Sequence, residues 1–142
     1  MKITGILFTL LGLSLCMTLN TGCAGNTSSE EISSTKPKTL ASATKLINDR
    51  CPEWVDPESR LDSVRLSLEG EMYYYYNLPN KVGSSINASS FTAFLLPEII
   101  RNVRYNPDLR MHRDSSLTFI FNYTGRGGEL ITEFKVGPER YK

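Results

Sequence analysis

The sequence predicts an α+β domain in the order αββαββ, with a four-stranded antiparallel sheet and two helices packed on one face. Two observations predict it. Helical patterns occur near residues 40 and 90, and each is followed by two alternating strands that a glycine turn joins. The chain of 142 residues has room for one domain of ordinary size.

The first αββ unit begins at residue 39. Residues 39–50 can bury Leu40, Ala43 and Ile47 on one helical face, and Cys51-Pro52 ends the helix because proline disfavours helix in the residue before it. Residues 61–69 then alternate, and Glu69-Gly70 supplies a turn into residues 71–78. The inward positions of the two strands are Val64, Leu66, Leu68, Met72, Tyr74, Tyr76 and Leu78, with Tyr73 and Tyr75 facing outward.

The second unit begins with a helix over residues 88–105, for which Asn87 is the predicted N-cap. Pro97 should kink this helix or restart it, and Asn106-Pro107-Asp108 ends it. Its apolar stripe is Phe91, Phe94, Leu95, Ile99 and Val103. Strands over 117–123 and 129–136 follow, with Leu117, Phe119, Phe121, Tyr123, Leu130, Phe134 and Val136 inward. The two units resemble each other weakly, through duplication or by chance.

The first 22 residues are typical of a secretory signal peptide, with one lysine before an apolar run that is short for a membrane span. The following N-T-G-C resembles the lipobox of bacterial lipoproteins, although Asn20 stands where that family usually has leucine. The resemblance implies that Cys23 is acylated and becomes the N-terminus. Ordinary cleavage after Ala24 and an uncleaved anchor are the alternatives.

The predicted domains are therefore a signal peptide over 1–22, a lipidated cysteine and flexible tether over 23–38, and one α+β domain over 39–142. The tether is small and polar, and cannot bury enough surface to offset its ordering entropy. By analogy with the sorting rule of enterobacterial lipoproteins, Ala24 in place of aspartate after the lipidated cysteine favours outer-membrane anchoring, with the domain in the periplasm or at the cell surface.

Charge and motifs exclude several functions. The 16 basic and 15 acidic residues give no field for non-specific nucleic-acid binding. The sequence has no glycine-rich phosphate loop, no G-x-S-x-G and no H-E-x-x-H, so we expect neither cofactor nor metal.

Residues 51–64 and 102–114 are similar to a group of small bacterial envelope proteins, many with lipoprotein signals. The resemblance covers residues 45–138 and implies the fold and an envelope location, but no biochemical activity. The matching positions are Pro52, Val55, Asp56, Arg60, Leu61, Asp62, Asn106, Pro107 and Asp108.

Candidate chemistry falls in the two loops that follow the helices. Cys51 would be the only thiol left in a lipidated domain, and His112 is the only histidine that could act as its base. The alternative is that Cys51 is a small packed side chain. Four carboxylates in these loops could act as a catalytic or calcium-binding group, or as turn caps and ion-pair partners: Asp56, Asp62, Asp108 and Asp114.

The outward tyrosines suggest a binding face. Tyr73 and Tyr75, with Ile120 and Ile131, would form an apolar-aromatic patch for a sugar or a protein, or an ordinary sheet surface of cross-strand pairs. We therefore expect a non-enzymatic, membrane-tethered envelope lipoprotein that binds a protein partner, in an inhibitor, immunity or envelope-assembly role. The alternatives are a glycan- or lipid-binding module on the tyrosine face, and a thiol- or carboxylate-dependent hydrolase.

Overall fold

The computed structural model describes residues 37–142; the predicted signal peptide, Cys23 and nearly all of the predicted tether lie outside them. The helices are α1 (Leu40–Asn48), α2 (Ala88–Tyr105), α3 (Arg110–Asp114) and α4 (Pro138–Tyr141). The strands are β1 (Glu53–Trp54), β2 (Arg60–Leu66), β3 (Glu71–Asn77), β4 (Thr118–Thr124) and β5 (Leu130–Val136). Short 3₁₀ turns occupy Gly83–Ser85 and Pro107–Leu109.

The sheet is mixed. Its order is β1-β2-β3-β4-β5, with β3 and β4 parallel and every other pair antiparallel. The α+β class and both hairpins agree with the sequence, but the prediction of four antiparallel strands and two helices is wrong. The reason is the connection between the hairpins: α2 carries the chain back across the sheet, so that β4 starts beside the start of β3.

The parallel central pair also bears on the weak sequence repeat. Each αββ unit contributes one central and one flanking strand, but β3 is the second strand of its unit and β4 is the first. The two units therefore do not occupy equivalent positions in the sheet, and no internal symmetry accompanies the similarity of their sequences.

One core lies between the helices and a single face of the sheet. Ile47 of α1 and Val103 of α2 belong to it, with inward side chains from every long strand. Both predicted helices thus pack on the same face. The side chains with less than 2% exposure are Met72, Val103, His112, Phe119 and Val136, and also Ile120, which lies on the opposite face of the sheet.

The helix ends follow the capping rules. Thr39 and Ser42 form a reciprocal capping box at the start of α1, and the Asn87 side chain accepts from the Ser90 N–H, as the sequence predicts. Pro97 lies inside α2, which continues unbroken to Tyr105 rather than restarting.

Three predicted core positions are exposed. Phe94 is 78% exposed, because α2 turns only the face carrying Phe91, Leu95 and Val103 towards the sheet. Leu68 follows the end of β2, in the turn completed by Gly70 at a φ of +81°, and is fully exposed.

Leu130 is exposed because the register of β4 and β5 shifts beside it. Tyr123 pairs with Thr132 and Thr124 pairs with Leu130, which leaves Ile131 as an extra, bulged residue. The bulge exchanges the expected burial of neighbouring side chains, so that Leu130 is 62% exposed and Ile131 is buried. Within residues 37–142, no helix has the length and apolarity to cross a bilayer.

Candidate functional site

An open groove of about 630 Å³ lies over the helix-facing side of the sheet. We call it the aromatic groove. Its floor is aromatic, its walls come mainly from α2, and its mouth carries Val55, Asp56, Glu98, Arg101, Asn102, Tyr105 and Asn106. The floor side chains are Tyr74, Tyr76, Phe121 and Tyr123, and the walls are Leu95, Ile99, Val103 and Leu109.

The floor is ordered by the parallel pairing of β3 and β4. Tyr76 stands opposite Tyr123, and their rings stack with centroids 4.8 Å apart and an 8° interplanar angle. Tyr74 stands opposite Phe121 in the same way, at 5.2 Å and 15°. Stacked cross-strand rings are rigid, so the floor presents a preformed apolar surface.

Two tyrosine hydroxyls on this floor lack a hydrogen-bond partner in the described part of the chain. Burial raises the pKa of Tyr76 and of Tyr123 well above the usual value, and no hydrogen bond contributes to either shift. Both phenols therefore stay protonated at neutral pH and keep an O–H to donate. Neither hydroxyl oxygen is a sealed atom of the core, so both can reach solvent in the open groove, and the floor is suited to an apolar ligand that carries a hydrogen-bond acceptor.

The mouth of the groove is apolar on two sides. Val55, in the loop after β1, is 50% exposed, and Tyr105, at the end of α2, is 70% exposed. Trp54 beside Val55 is also exposed. Exposed apolar side chains around an apolar groove are typical of an interaction site.

The predicted tyrosine face lies on the opposite side of the sheet. Tyr73 and Tyr75 stack at 6.3 Å, and the Tyr73 hydroxyl donates to Glu71 Oε2 at 2.6 Å. That carboxylate raises the pKa of Tyr73 to about 12. Ile120 is 1% exposed and Ile131 is 8% exposed, so the four residues do not form the continuous exposed patch that the sequence predicts.

Cys51 and His112 hydrogen-bond to different groups. The Cys51 thiol donates to the Ile47 carbonyl at 3.6 Å, and burial raises its pKa, which opposes thiolate formation. His112 is fully buried and its Nε2 lies 3.0 Å from Thr44 Oγ1. The structure thus assigns packing contacts to both side chains and no hydrogen bond between them.

Each predicted carboxylate serves a turn or an ion pair. Asp56 Oδ1 accepts from the N–H groups of Glu58 and Ser59, which closes a turn at the mouth of the aromatic groove. The other carboxylates pair with arginines: Asp62 with Arg60 at 2.5 Å, Asp108 with Arg50 at 3.1 Å, and Asp114 with Arg110 at 3.7 Å. Among residues 37–142, no three His, Cys, Asp or Glu side chains are grouped as a metal site requires.

The aromatic groove does not follow from the sequence pattern. Alternation predicts that the inward positions of β3 are core, and it does not show that β4 lies beside them. One signal is available: tyrosine rather than phenylalanine at 76 and 123, since a phenol on an apolar floor needs a partner that apolar side chains do not supply, whereas the Tyr74 hydroxyl donates to Met72 Sδ at 3.7 Å.

Fold and groove together define a small α+β domain with an open apolar groove on the helix-facing side of its sheet. Scans against family models and curated proteins returned no match. Three solved structures share the fold. A protein of Pseudomonas aeruginosa, classed as secreted, aligns with a TM-score of 0.58 at 7% identity, over 72% of this chain and 89% of its own.

The other two are pilotins of type II secretion systems. EpsS from Vibrio vulnificus aligns with a TM-score of 0.55 at 11% identity, over 72% of this chain and 90% of its own. AspS from Vibrio cholerae aligns with a TM-score of 0.51 at 12% identity, over 68% of this chain and 84% of its own. At these identities the likeness shows the fold.

Proposed function

We propose that this chain is a non-enzymatic bacterial envelope lipoprotein, anchored through Cys23, whose domain binds an apolar segment of a protein partner in the aromatic groove. The observation that carries the proposal is the pair of unpartnered hydroxyls of Tyr76 and Tyr123 on an open apolar floor. The motif at Cys23 and the similarity of residues 51–64 and 102–114 to envelope proteins support the location.

A peptide suits this groove better than a fully apolar ligand. An apolar chain would cover the stacked rings but leave two donors unsatisfied, and each buried unsatisfied group costs about 1–3 kcal/mol. A segment that offers apolar side chains together with a carbonyl or side-chain oxygen satisfies both requirements. Val55 and Tyr105 extend the apolar contact beyond the floor.

Within this proposal, an envelope-assembly role is favoured over an inhibitor or immunity role. The support is the fold shared with two type II secretion pilotins. The raised pKa of Cys51 and the ion-paired carboxylates speak against the thiol- or carboxylate-dependent hydrolase.

Site-specific photo-crosslinking in the native envelope tests the groove. A crosslinker at position 55 or 105 should give one discrete protein adduct, and a crosslinker at position 82 should not. Val82 is the matched control because it is 45% exposed, close to the 50% of Val55, and lies outside the groove. Adducts from position 82 alone, or from none of the three, would contradict the proposal.

Removal of the Tyr76 and Tyr123 hydroxyls tests whether they donate hydrogen bonds to the partner. Tyr76→Phe combined with Tyr123→Phe keeps both rings and removes both donors. If each hydroxyl donates one bond worth about 0.5–1.5 kcal/mol, the adduct should fall several-fold or more while the melting temperature is maintained. An unchanged adduct would show that the phenols are not part of the site.

The anchor is tested by intact mass. We expect a mature chain that begins at Cys23 and carries acyl chains, and a Cys23→Ser variant that is no longer processed in this way. A product that begins at Met1, or one that begins beyond Cys23 without fatty acid, would remove the anchor from the proposal.

A further inference from the structure

We infer that β5 is a self-complementary edge strand through which two copies of this chain pair into a symmetric dimer with one continuous sheet. This inference does not depend on the proposed function. β5 is the last strand in the sheet order, so that within residues 37–142 only β4 pairs with it. An edge strand offers a row of unpaired backbone N–H and C=O groups to another strand.

The hydrogen-bond pattern identifies which residues of β5 present these groups. The Thr118 N–H donates to Gly70 O, and Thr124 O accepts from the Leu78 N–H. Thr118 and Thr124 therefore turn their backbone groups to β3, and the alternation of a strand turns those of Phe119, Phe121 and Tyr123 to β5.

The partners of those three residues on β5 are Val136, Phe134 and Thr132. Their backbone groups are used within the chain, so the backbone groups of Glu133 and Lys135 point outward from the sheet edge. The bulge lies at Ile131, which leaves residues 132–136 regular and available for pairing.

The outward residues have opposite charges. In an antiparallel pairing symmetric about Phe134, Glu133 lies opposite the partner's Lys135, and Lys135 lies opposite the partner's Glu133. At each of these positions the two backbones are hydrogen-bonded and the two side chains form a favourable cross-strand ion pair. Lys135 Nζ already lies 3.3 Å from Glu71 Oε1, whereas no ion pair involves Glu133 among the residues that the structure describes. The second copy supplies the partner that Glu133 lacks.

The other face of the sheet supports the same register. Phe134 packs on Phe121 with centroids 5.5 Å apart, and Phe121 packs on Tyr74 at 5.2 Å, which forms an aromatic row across the sheet. Pairing about Phe134 places that ring beside the partner's Phe134, so the row continues into the second copy. A register moved by one residue to centre on Glu133 would instead set two carboxylates opposite each other.

Charge exchange tests the dimer by sedimentation of the full chain, purified in detergent from the cells that make it. Wild type should be a dimer. Glu133→Lys alone and Lys135→Glu alone should each raise the dimer dissociation constant by about tenfold or more, and the two together should restore dimers. The double variant still places a carboxylate at residue 135 beside Glu71. Its recovery of dimers therefore cannot come from that contact within one chain, and must come from the contact between copies. Glu139→Lys, an exposed charge change outside β5, is the control.

A disulfide tests the register. Only residue 134 lies on the twofold axis, at a non-hydrogen-bonded position where paired Cβ atoms are close enough for a disulfide. In a Cys51→Ser background, Phe134→Cys should form a covalent dimer on oxidation, and Glu133→Cys should do so far less. A monomeric wild type at about 100 μM, failure of the double variant to recover, or pairing of β5 with a different protein would each overturn the inference.

Discussion

His112 Nε2 and Thr44 Oγ1 lie 3.0 Å apart in the interior and join α3 to α1. His112 is fully buried, and desolvation lowers its pKa below the usual 6.5. This imidazole is therefore held neutral, in a place where a proton would be unfavourable.

The first prediction is acid destabilisation near neutral pH. The unfolded chain binds the histidine proton more readily than the folded chain, so the free energy of unfolding should fall as pH drops below about 6.5. For one proton the slope is at most about 1.4 kcal/mol per pH unit. Urea unfolding at several pH values measures it. Because this is the only histidine, His112→Phe should abolish the slope near pH 6. A slope that persists in this variant would show that the proton is taken up by another group.

The second prediction concerns Glu129 and Gly83. The Glu129 carboxylate accepts the Gly83 N–H, and a Cβ on Gly83 would lie 2.5 Å from Glu129 Cγ. Gly83→Ala should therefore lower the melting temperature in the wild type and lower it much less in a Glu129→Ala background. Thermal unfolding of the four proteins in this cycle gives the coupling. Equal losses in both backgrounds would place the strain elsewhere in the loop.

The same carboxylate should also make the stability of the fold depend on pH in the acid range. Its hydrogen bonds with backbone N–H groups, that of Gly83 first, lower the pKa of Glu129. The stability they provide is present above about pH 4.5 and is lost as pH falls through the lowered pKa. Glu129→Gln should therefore flatten the loss of stability below that pH, whereas Glu69→Gln, at an exposed turn, should not.

The third prediction is that the Cys51 thiol is alkylated slowly at neutral pH. Because burial raises the pKa of Cys51, its alkylation at neutral pH should be slower than that of a cysteine placed at exposed Ala93, inside α2 and away from its N-terminus. The rate should rise as pH increases towards and beyond 9.0. Cys51→Ser should leave the groove adduct unchanged. Fast alkylation together with loss of biological activity in Cys51→Ser would instead favour a thiol enzyme.

The fourth prediction separates the two faces of the sheet. Tyr73→Ala with Tyr75→Ala should leave the adduct from position 55 unchanged, because these side chains lie opposite the aromatic groove. Loss of that adduct at an unchanged melting temperature would move the partner to the tyrosine face. Binding of a glycan that this double variant abolishes would support the alternative module.

Local pattern accounts for what could be predicted. The alternation around Gly70 and around the T-G-R-G-G loop specifies each hairpin, and Thr39 and Asn87 mark the two helix starts. The pairing of one hairpin with the other cannot be read from the sequence of either hairpin. It depends on where α2 packs. The aromatic groove depends on the same packing, since its floor is shared by β3 and β4.

The burial of single residues failed for a related reason. Alternation predicts a buried Leu130 and an outward Ile131, but the bulge at Ile131, opposite Tyr123 and Thr124, exchanges their burial. An extra residue in one strand is visible only against its neighbour, so the sequence of β5 alone carries no sign of it.

The parallel pairing of β3 and β4 has a consequence during synthesis. The chain emerges from the ribosome amino end first, and the strand with four successive tyrosines is complete about 40 residues before its central neighbour exists. Until that neighbour has followed it into solution, one edge of the first hairpin is open and its rings are uncovered. A chaperone that recognises exposed aromatic side chains would therefore meet this protein at the tyrosine strand, before β4 has paired with it.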